Sequence, residues 1–281
     1  MAKLTGHRYG KARVRVMKIL HEGAVHTIKD LEVAAYLSGD FESSYTSGDN
    51  TRVVATDTIK NTINVFAKQH LGEEIERFGL TLGEHFLTHY EQVGEAEVQI
   101  SERRWDRLKV DGQPHPHSFA AGSEGRMFTR ITCNNGAKTI RSGVRDLVIL
   151  KSAGSGFENY PKDEFTTLPE TADRILATSF GATWTFRDQP DHFGRANEAI
   201  LSAMLKVFAN NYSPSAQTTL FQMAEAALGV CPEISGLDLA MPNKHCLLIN
   251  LAPFGLENKN EVFVPTDEPH GDITATVTRD D

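Results

Sequence analysis

One order of hydrophobic patterns runs through this chain twice. In the first half, alternation with period two over residues 11–22 predicts a strand, since successive side chains of a strand face opposite ways. A second strand, residues 30–38, places Leu31, Val33, Ala35 and Leu37 on one face and Glu32, Ala34 and Tyr36 on the other. Gly23 and the polar stretch around His26 suit the turn between them, and a Ser/Gly/Asp/Asn loop spans 43–50. Ile59, Ile63 and Phe66 at i, i+4, i+7 then predict a helix with Thr56 or Asp57 as its N-cap. Ile75, Phe78, Leu82 and Phe86 predict another over 73–90. Strand signals return at 97–100 and 128–132, followed by the turn cluster Asn134-Asn135-Gly136.

The second half replays this order. Strands are predicted at 146–151 and 182–186. A helix follows with Ile200, Ala203, Met204, Val207 and Phe208 on one face, then a second with Leu220, Ala224, Ala227 and Leu228, ending at Gly229 as C-cap. Strands at 245–251 and 262–264 close it. Each half reads strand, strand, helix, helix, strand, strand, which is a duplication of about 140 residues. The expected architecture is α+β: two tandem domains, 1–136 and 137–281, each an antiparallel sheet with its helices on one face. Such a unit leaves a sheet face and edge strands in need of partners, so a closed, barrel-like oligomer is expected.

Composition narrows the function classes. The 281 residues are 40% hydrophobic and 23% charged, enough for a packed core. A net charge of −8 argues against broad binding to nucleic acid or anionic lipid. No apolar run approaches the roughly 18 residues of a membrane span. Cys133, Cys231 and Cys246 form no C-x-x-C spacing and cannot all pair, which suits a reducing compartment. Lys3, Arg8, Lys11, Arg13, Arg15 and Lys18 precede any acidic residue, as in a transit segment, but Arg13-Val14-Arg15-Val16 alternates as a strand does. The C-terminal Thr278-Arg279-Asp280-Asp281 is not the Ser-Lys-Leu peroxisomal address, so a cytoplasmic location is expected.

Familiar cofactor signatures are missing. There is no G-x-x-x-x-G-K-[ST] loop, and Gly154-Ser155-Gly156 lacks the third glycine of a dinucleotide fingerprint. Ala121-Gly122-Ser123-Glu124-Gly125 has alanine where a nucleophile elbow begins and reads as a loop. His85 and His89 read as helix-surface residues and His115 and His117 as loop residues; neither pair supplies the three or four ligands of a metal site. Three segments remain: Tyr9-Gly10-Lys11, residues 53–62, and Pro242-Asn243-Lys244-His245. Taken singly, Lys11 is a surface charge, Thr56 and Asp57 are caps and Asn243 is a turn residue.

Taken together they resemble the urate oxidase (uricase) family, over essentially the whole chain. The most specific stretch carries Leu147, Leu150, Lys151, Ser152, Ser155, Phe157, Tyr160, Phe165, Leu168 and Arg174 at the family's spacings. The resemblance implies two tunnelling-fold (T-fold) domains per chain, assembled into a homotetramer with active sites at subunit interfaces. It implies oxidation of urate by O2 to 5-hydroxyisourate and hydrogen peroxide, with no metal, flavin or haem and O2 as co-substrate.

Residue by residue, Lys11, Thr56 and His245 match the family's proton relay, and Thr56 and Asn243 its oxygen site. Phe157 matches the residue that stacks on the purine, and Leu168 joins the substrate set. Arg174 and Gln217 match the clamps on opposite edges of the ring; Ala216 assists through its backbone N–H and Asp57 through its backbone. The chemistry suits a flat anion: a π-face for the ring, a planar guanidinium able to fork two N–H groups onto one edge, and an amide that donates and accepts on the other. Triplet O2 reacts with a singlet molecule by single-electron steps, so a base that deprotonates urate makes it a better electron donor. Two departures stand out. Ala216 replaces a larger aliphatic, and Ala153 a Ser or Thr. Pterin-binding enzymes of the same fold use a glutamate anchor in place of the Arg174 and Gln217 clamp. An inactive urate-binding or purely structural barrel would not need Lys11, Thr56 and His245 together.

Overall fold

The computed structural model describes residues 2–122 and 125–280. Ser123 and Glu124 of the segment read as a loop, and Asp281 of the C-terminal tetrapeptide, lie outside the described residues. The chain divides into two compact units, one reaching to Gly143 and including Thr185–Arg195, the other formed by Val144–Trp184 and the chain from Ala196 onward.

The first unit opens with strand β1 (Tyr9–Glu22) antiparallel to β2 (Val25–Gly39), in a register that sets Lys11 opposite Ala35 and His21 opposite His26. The turn is tighter than the sequence suggests: Gly23, at φ +66°, takes it, and His26 is already in β2. After a short helix α1 (Glu42–Thr46) come α2 (Thr56–His70) and α3 (Ile75–His89), then β3 (Val93–Arg103). A hairpin, β4 (Trp105–Val110) and β5 (Gln113–Ala121), precedes β6 (Arg126–Asn134), and β7 (Lys138–Lys151) leads into the second unit. Within the first unit the sheet order is β1-β2-β3-β6-β7, and β4-β5 form a separate two-stranded sheet. The turn into β7 forms as read: Asn134 Oδ1 accepts from the backbone N–H of Ala137 at 2.9 Å and of Gly136 at 3.3 Å.

The helices bury one face of the sheet. Leu31, Val33, Ala35 and Leu37 are fully buried, as are Ile59 and Ile63 of α2 and Phe78, Leu82 and Phe86 of α3. Each such aliphatic or aromatic side chain contributes about 1.5–3 kcal/mol by leaving water. Ala34, on the opposite side of β2, is buried too, so the second face is not uniformly solvated.

The second unit repeats the plan. It takes the end of β7, most of β8 (Leu176–Phe186) and of α4 (Phe193–Asn210), then α5 (Ala216–Val230), β9 (Ile234–Ala240), β10 (Asn243–Leu248), β11 (Phe263–Gly271) and β12 (Thr274–Thr278). β8 pairs with β7 on one side and with β9 and β10 on the other; β12 continues the sheet beyond β9 and β11 beyond β10. Trp184 is fully buried and its indole N–H donates to Asn197 Oδ1 at 2.9 Å. Arg13 in β1 and Asp146 in β7 each sit at φ +58°, a conformation rare for residues with a Cβ.

Three end assignments differ from expectation. The N-cap of α2 is Ala55, at φ −55° and ψ 135°, with Thr56 and Asp57 already inside the first turn. Helix α5 runs through Gly229 to Val230 and is capped by Cys231 in extended geometry. His115 and His117 lie on β5 instead of in a loop. Among the described residues no helix is long and apolar enough to cross a membrane.

Candidate active site

The predicted site residues fall into two groups, one in each unit. In the first unit, Lys11 lies on β1 immediately before a register shift against β2 that spans Lys11 to Val14. A bulge of this kind re-aims side chains near an edge. Gly10 is required beside it, because a Cβ there would lie 2.0 Å from the Ala35 carbonyl oxygen. Tyr9, named in the sequence only as part of the Tyr9-Gly10-Lys11 segment, supplies the link to α2. Its hydroxyl oxygen accepts the backbone N–H of Val54 at 2.8 Å, and its ring packs edge-on against Phe41 at 4.9 Å. Residues 53–55 are thereby tied to the start of β1, which brings the first turn of α2 toward Lys11.

In that turn the Asp57 carboxylate is bound by Lys60 and, at 3.0 Å, by Asn61 Nδ2. Lys60 and, more weakly, Lys11 hold its pKa below the usual carboxylate range. Lys11 and Asp57 therefore share one electrostatic neighbourhood. Thr56 and Asp57 are both exposed. With the Asp57 side chain engaged along the helix, its backbone is the part left to face a ligand.

The second group is built around a loop between β7 and β8. Phe157 exchanges two backbone hydrogen bonds with Thr171, at 2.7 and 3.1 Å, and the Arg174 N–H donates to the Ser155 carbonyl at 2.7 Å. These bonds set the guanidinium carbon of Arg174 5.3 Å from the centre of the Phe157 ring. Tyr160 stacks on Phe157 with centroids 4.8 Å apart and planes 12° from parallel, and its hydroxyl donates to the Leu168 carbonyl at 2.5 Å. Leu168 enters the loop through that carbonyl, its side chain being exposed. Arg174 Nε is buried and makes no hydrogen bond among the described residues, and burial pushes the guanidinium below its ordinary range. A half-buried planar cation beside a π-face, with a buried N–H that has no partner among the described residues, suits a flat anion.

Ala216 and Gln217 are the first two residues of α5. The N-cap is Ser215, whose Oγ accepts from the Thr218 N–H at 3.1 Å. First-turn N–H groups have no intrahelical acceptor and lie at the positive end of the helix dipole, so those of Ala216 and Gln217 suit an electronegative edge. The small Ala216 side chain is itself buried. Ser215→Ala is expected to cost about 0.5–2 kcal/mol and to be largely rescued by Ser215→Asp, as thermal unfolding of the two variants will show.

Asn243 opens β10, paired with Thr178 of β8 and Gly271 of β11; two residues on, His245 pairs with Thr266. A register shift separates them. The Lys244 ammonium between them is bound to Asp267.

His85 and His89 stack at 5.0 Å on α3, where burial and its neighbour push His85 down, and Phe66 lies 4.5 Å from His85. Among the described residues no three of His, Cys, Asp and Glu gather to hold a metal ion. A cavity of about 310 Å³ in the first unit, lined in part by Arg15, Lys18 and Lys68, contains none of the site residues. Its Lys18 is spent on the Ala67, Lys68 and Leu71 carbonyls at the end of α2.

The family model for uricase matches residues 7–132 and 140–274. A uricase of Arthrobacter globiformis is 38% identical over 274 residues, covering 98% of this chain and 89% of that protein. One from Dictyostelium discoideum is 36% identical over 282 residues, covering 99% and 98%. The crystal structure of the A. globiformis uricase superimposes with a TM-score of 0.94 over 99% of this chain and 96% of that one, at 38% identity. A uricase structure from Bacillus fastidious shares the fold, with a TM-score of 0.85 at 23% identity. The chain belongs to the uricase family.

Proposed function

We propose that this chain oxidises urate with O2 and water to 5-hydroxyisourate and hydrogen peroxide in purine degradation, without metal, flavin or haem. The observation that carries the reading is the Arg174 guanidinium held 5.3 Å from the Phe157 ring with a buried, uncommitted Nε, in a chain of this family. The ring accounts for binding of a purine plane, the guanidinium for one anionic edge, and Gln217 with the Ala216 N–H for the other. Leu168 and the Asp57 backbone complete the substrate set.

The stoichiometry is urate + O2 + H2O → 5-hydroxyisourate + H2O2. Urate gives up two electrons, O2 takes them with two protons, and water supplies the oxygen added to the ring. Lys11 in its neutral form takes a proton from urate, passing it through Thr56 and His245. An ammonium is no base, so this requires a lysine whose charged form is disfavoured by desolvation or by nearby cations. Imidazole changes charge nearest neutrality and suits the relay. Asn243 and Thr56 hold O2, and later water, over the ring.

The edges of the two sheets support the assembly. β1 has β2 as its strand partner, and β11 and β12 lie at the far margin of the second unit. Met17, Ile19, Val25, Val264 and Leu247 on or near these strands expose apolar surface. Strand margins of this kind need cover, and a closed ring of T-fold domains, with divisions at 1–136 and 137–281, provides it. The reading is of a cytoplasmic homotetramer. Lys11, Thr56 and Asp57 of one subunit then face Phe157, Leu168, Arg174, Ala216, Gln217, Asn243 and His245 of the next.

The deciding experiment uses metal-stripped protein. Incubated with urate in air, it is expected to consume urate and release one peroxide per urate, with a chelator leaving the rate unchanged. Absence of turnover, or turnover only after a metal is restored, would overturn the reading.

A further inference from the structure

Ser213 is buried in the second unit and belongs to none of the groups assigned above, yet it lies where two of them meet. Toward the Phe157 loop it bonds through its backbone: its N–H donates to the Gly154 carbonyl at 2.9 Å, and its own carbonyl accepts the Gly156 N–H at 2.8 Å. Ser155, between those glycines, pairs with it as a short parallel bridge. Toward α5 it bonds through its hydroxyl, to Thr219 Oγ1 and, at 3.2 Å, to the Ser215 carbonyl. Thr219, also buried, reaches the same carbonyl at 2.9 Å. Two hydroxyls bring two hydrogens: one bridges the Ser213–Thr219 pair and the other goes to the Ser215 carbonyl, so the trio is satisfied with none to spare.

The backbone half of this junction therefore fixes the segment carrying Phe157 and Arg174, while the hydroxyl half fixes the first turn carrying Ala216 and Gln217. Neighbouring Tyr212 closes the same seam, donating its hydroxyl to the Ala172 carbonyl at 3.0 Å. The seam is tight: a Cβ at Gly156 would lie 2.2 Å from the Tyr212 hydroxyl oxygen.

We propose that Ser213 is a positioning residue that sets the spacing between the guanidinium and amide clamps, and so tunes how well a purine anion spans them. The inference rests on the functional reading above. A ring gripped on opposite edges is sensitive to the distance between the grips, because both edges are rigid. Losing the hydroxyl leaves the Phe157 loop anchored by backbone but lets the α5 turn drift relative to it.

The test is a double-mutant cycle read by calorimetry with xanthine, a purine of the same ring system with one oxygen fewer. Ser213→Ala is expected to raise the xanthine Kd roughly 5- to 20-fold, and to raise the urate KM similarly with kcat within about threefold. In a Gln217→Ala background the same change should alter Kd by less than about twofold, because the clamp it spaces is gone. Thr219→Val, isosteric and lacking the same hydroxyl, should reproduce the pattern if Ser213→Ala folds poorly. A merely structural role lowers the melting temperature in both backgrounds without this non-additivity. An unchanged Kd, or equal effects with and without Gln217, would overturn the proposal. If the parent binds neither urate nor xanthine, the functional reading fails and this inference with it. If the parent binds, Gln217→Ala weakens binding and Ser213→Ala does not, the inference alone fails.

Discussion

Lys11→Ala is expected to lower urate turnover by roughly 10²–10⁴-fold while leaving the fold and urate binding nearly intact. The expected size follows from what a positioned base contributes. The sparing of the fold follows from the place of Lys11, which is half-exposed on β1 while the sheet's core is carried by Val14, Val16, Leu31 and Val33. The sparing of binding follows from the separation of roles, since stacking and edge recognition belong to residues of the second unit. Steady-state kinetics with a thermal melt distinguishes the cases. A variant that keeps full kcat would remove Lys11 from the chemistry, and one that loses its cooperative melt would mean that the β1 bulge needs the lysine. Lys11→Arg sharpens the reading: it keeps the charge but cannot be deprotonated, so it should be as inactive as alanine.

How much of this was legible beforehand differs between core and site. The buried faces were readable because burial imposes a period. Leu31, Val33, Ala35 and Leu37 alternate, and Ile59 and Ile63 repeat at four. The β4–β5 hairpin was missed although Asp111-Gly112 marks it, at φ +51° and +79°, the pairing a two-residue turn prefers. The flanking strands are short and mostly exposed, so they lack the apolar alternation that announced the others. Helix ends were misplaced where residue type and geometry disagree. Thr56 and Asp57 have the side chains of caps, but Ala55 has the cap's backbone, and an acid just inside the turn is favoured by the dipole.

The candidate site residues were read from family likeness, which gives no sign of the residues that support them. Tyr9 reaches Val54 across 45 positions, and Ser213 ties Gly154 and Gly156 to Thr219. No local pattern encodes contacts of that range, since tyrosine and serine are equally at home on a surface. Ser215 has the residue type of an N-cap, but it stands five residues before Leu220, the first residue of the predicted face, and was not read as one.

Arg174→Ala should reduce kcat/KM for urate by roughly 30- to 5,000-fold, corresponding to about 2–5 kcal/mol for removing one partner of a desolvated, hydrogen-bonded charge pair. Arg174→Lys should recover only part of this, because an ammonium restores the charge but not the two parallel N–H groups. The loss should appear chiefly in KM, in contrast with Lys11→Ala, where it appears in kcat. The two variants together also test the assembly. If each site takes Lys11 from one subunit and Arg174 from the next, co-assembling the two inactive chains creates some sites holding both wild-type residues. With equal amounts and random association that fraction is roughly a quarter of all sites, so activity should return toward that level on mixing under conditions that allow subunit exchange. If both residues of a site came from one chain, every site in the mixture would lack one of them. Activity would then stay at the level of the separate variants, and the shared-site arrangement would fall while the separate kinetic roles of Lys11 and Arg174 stood.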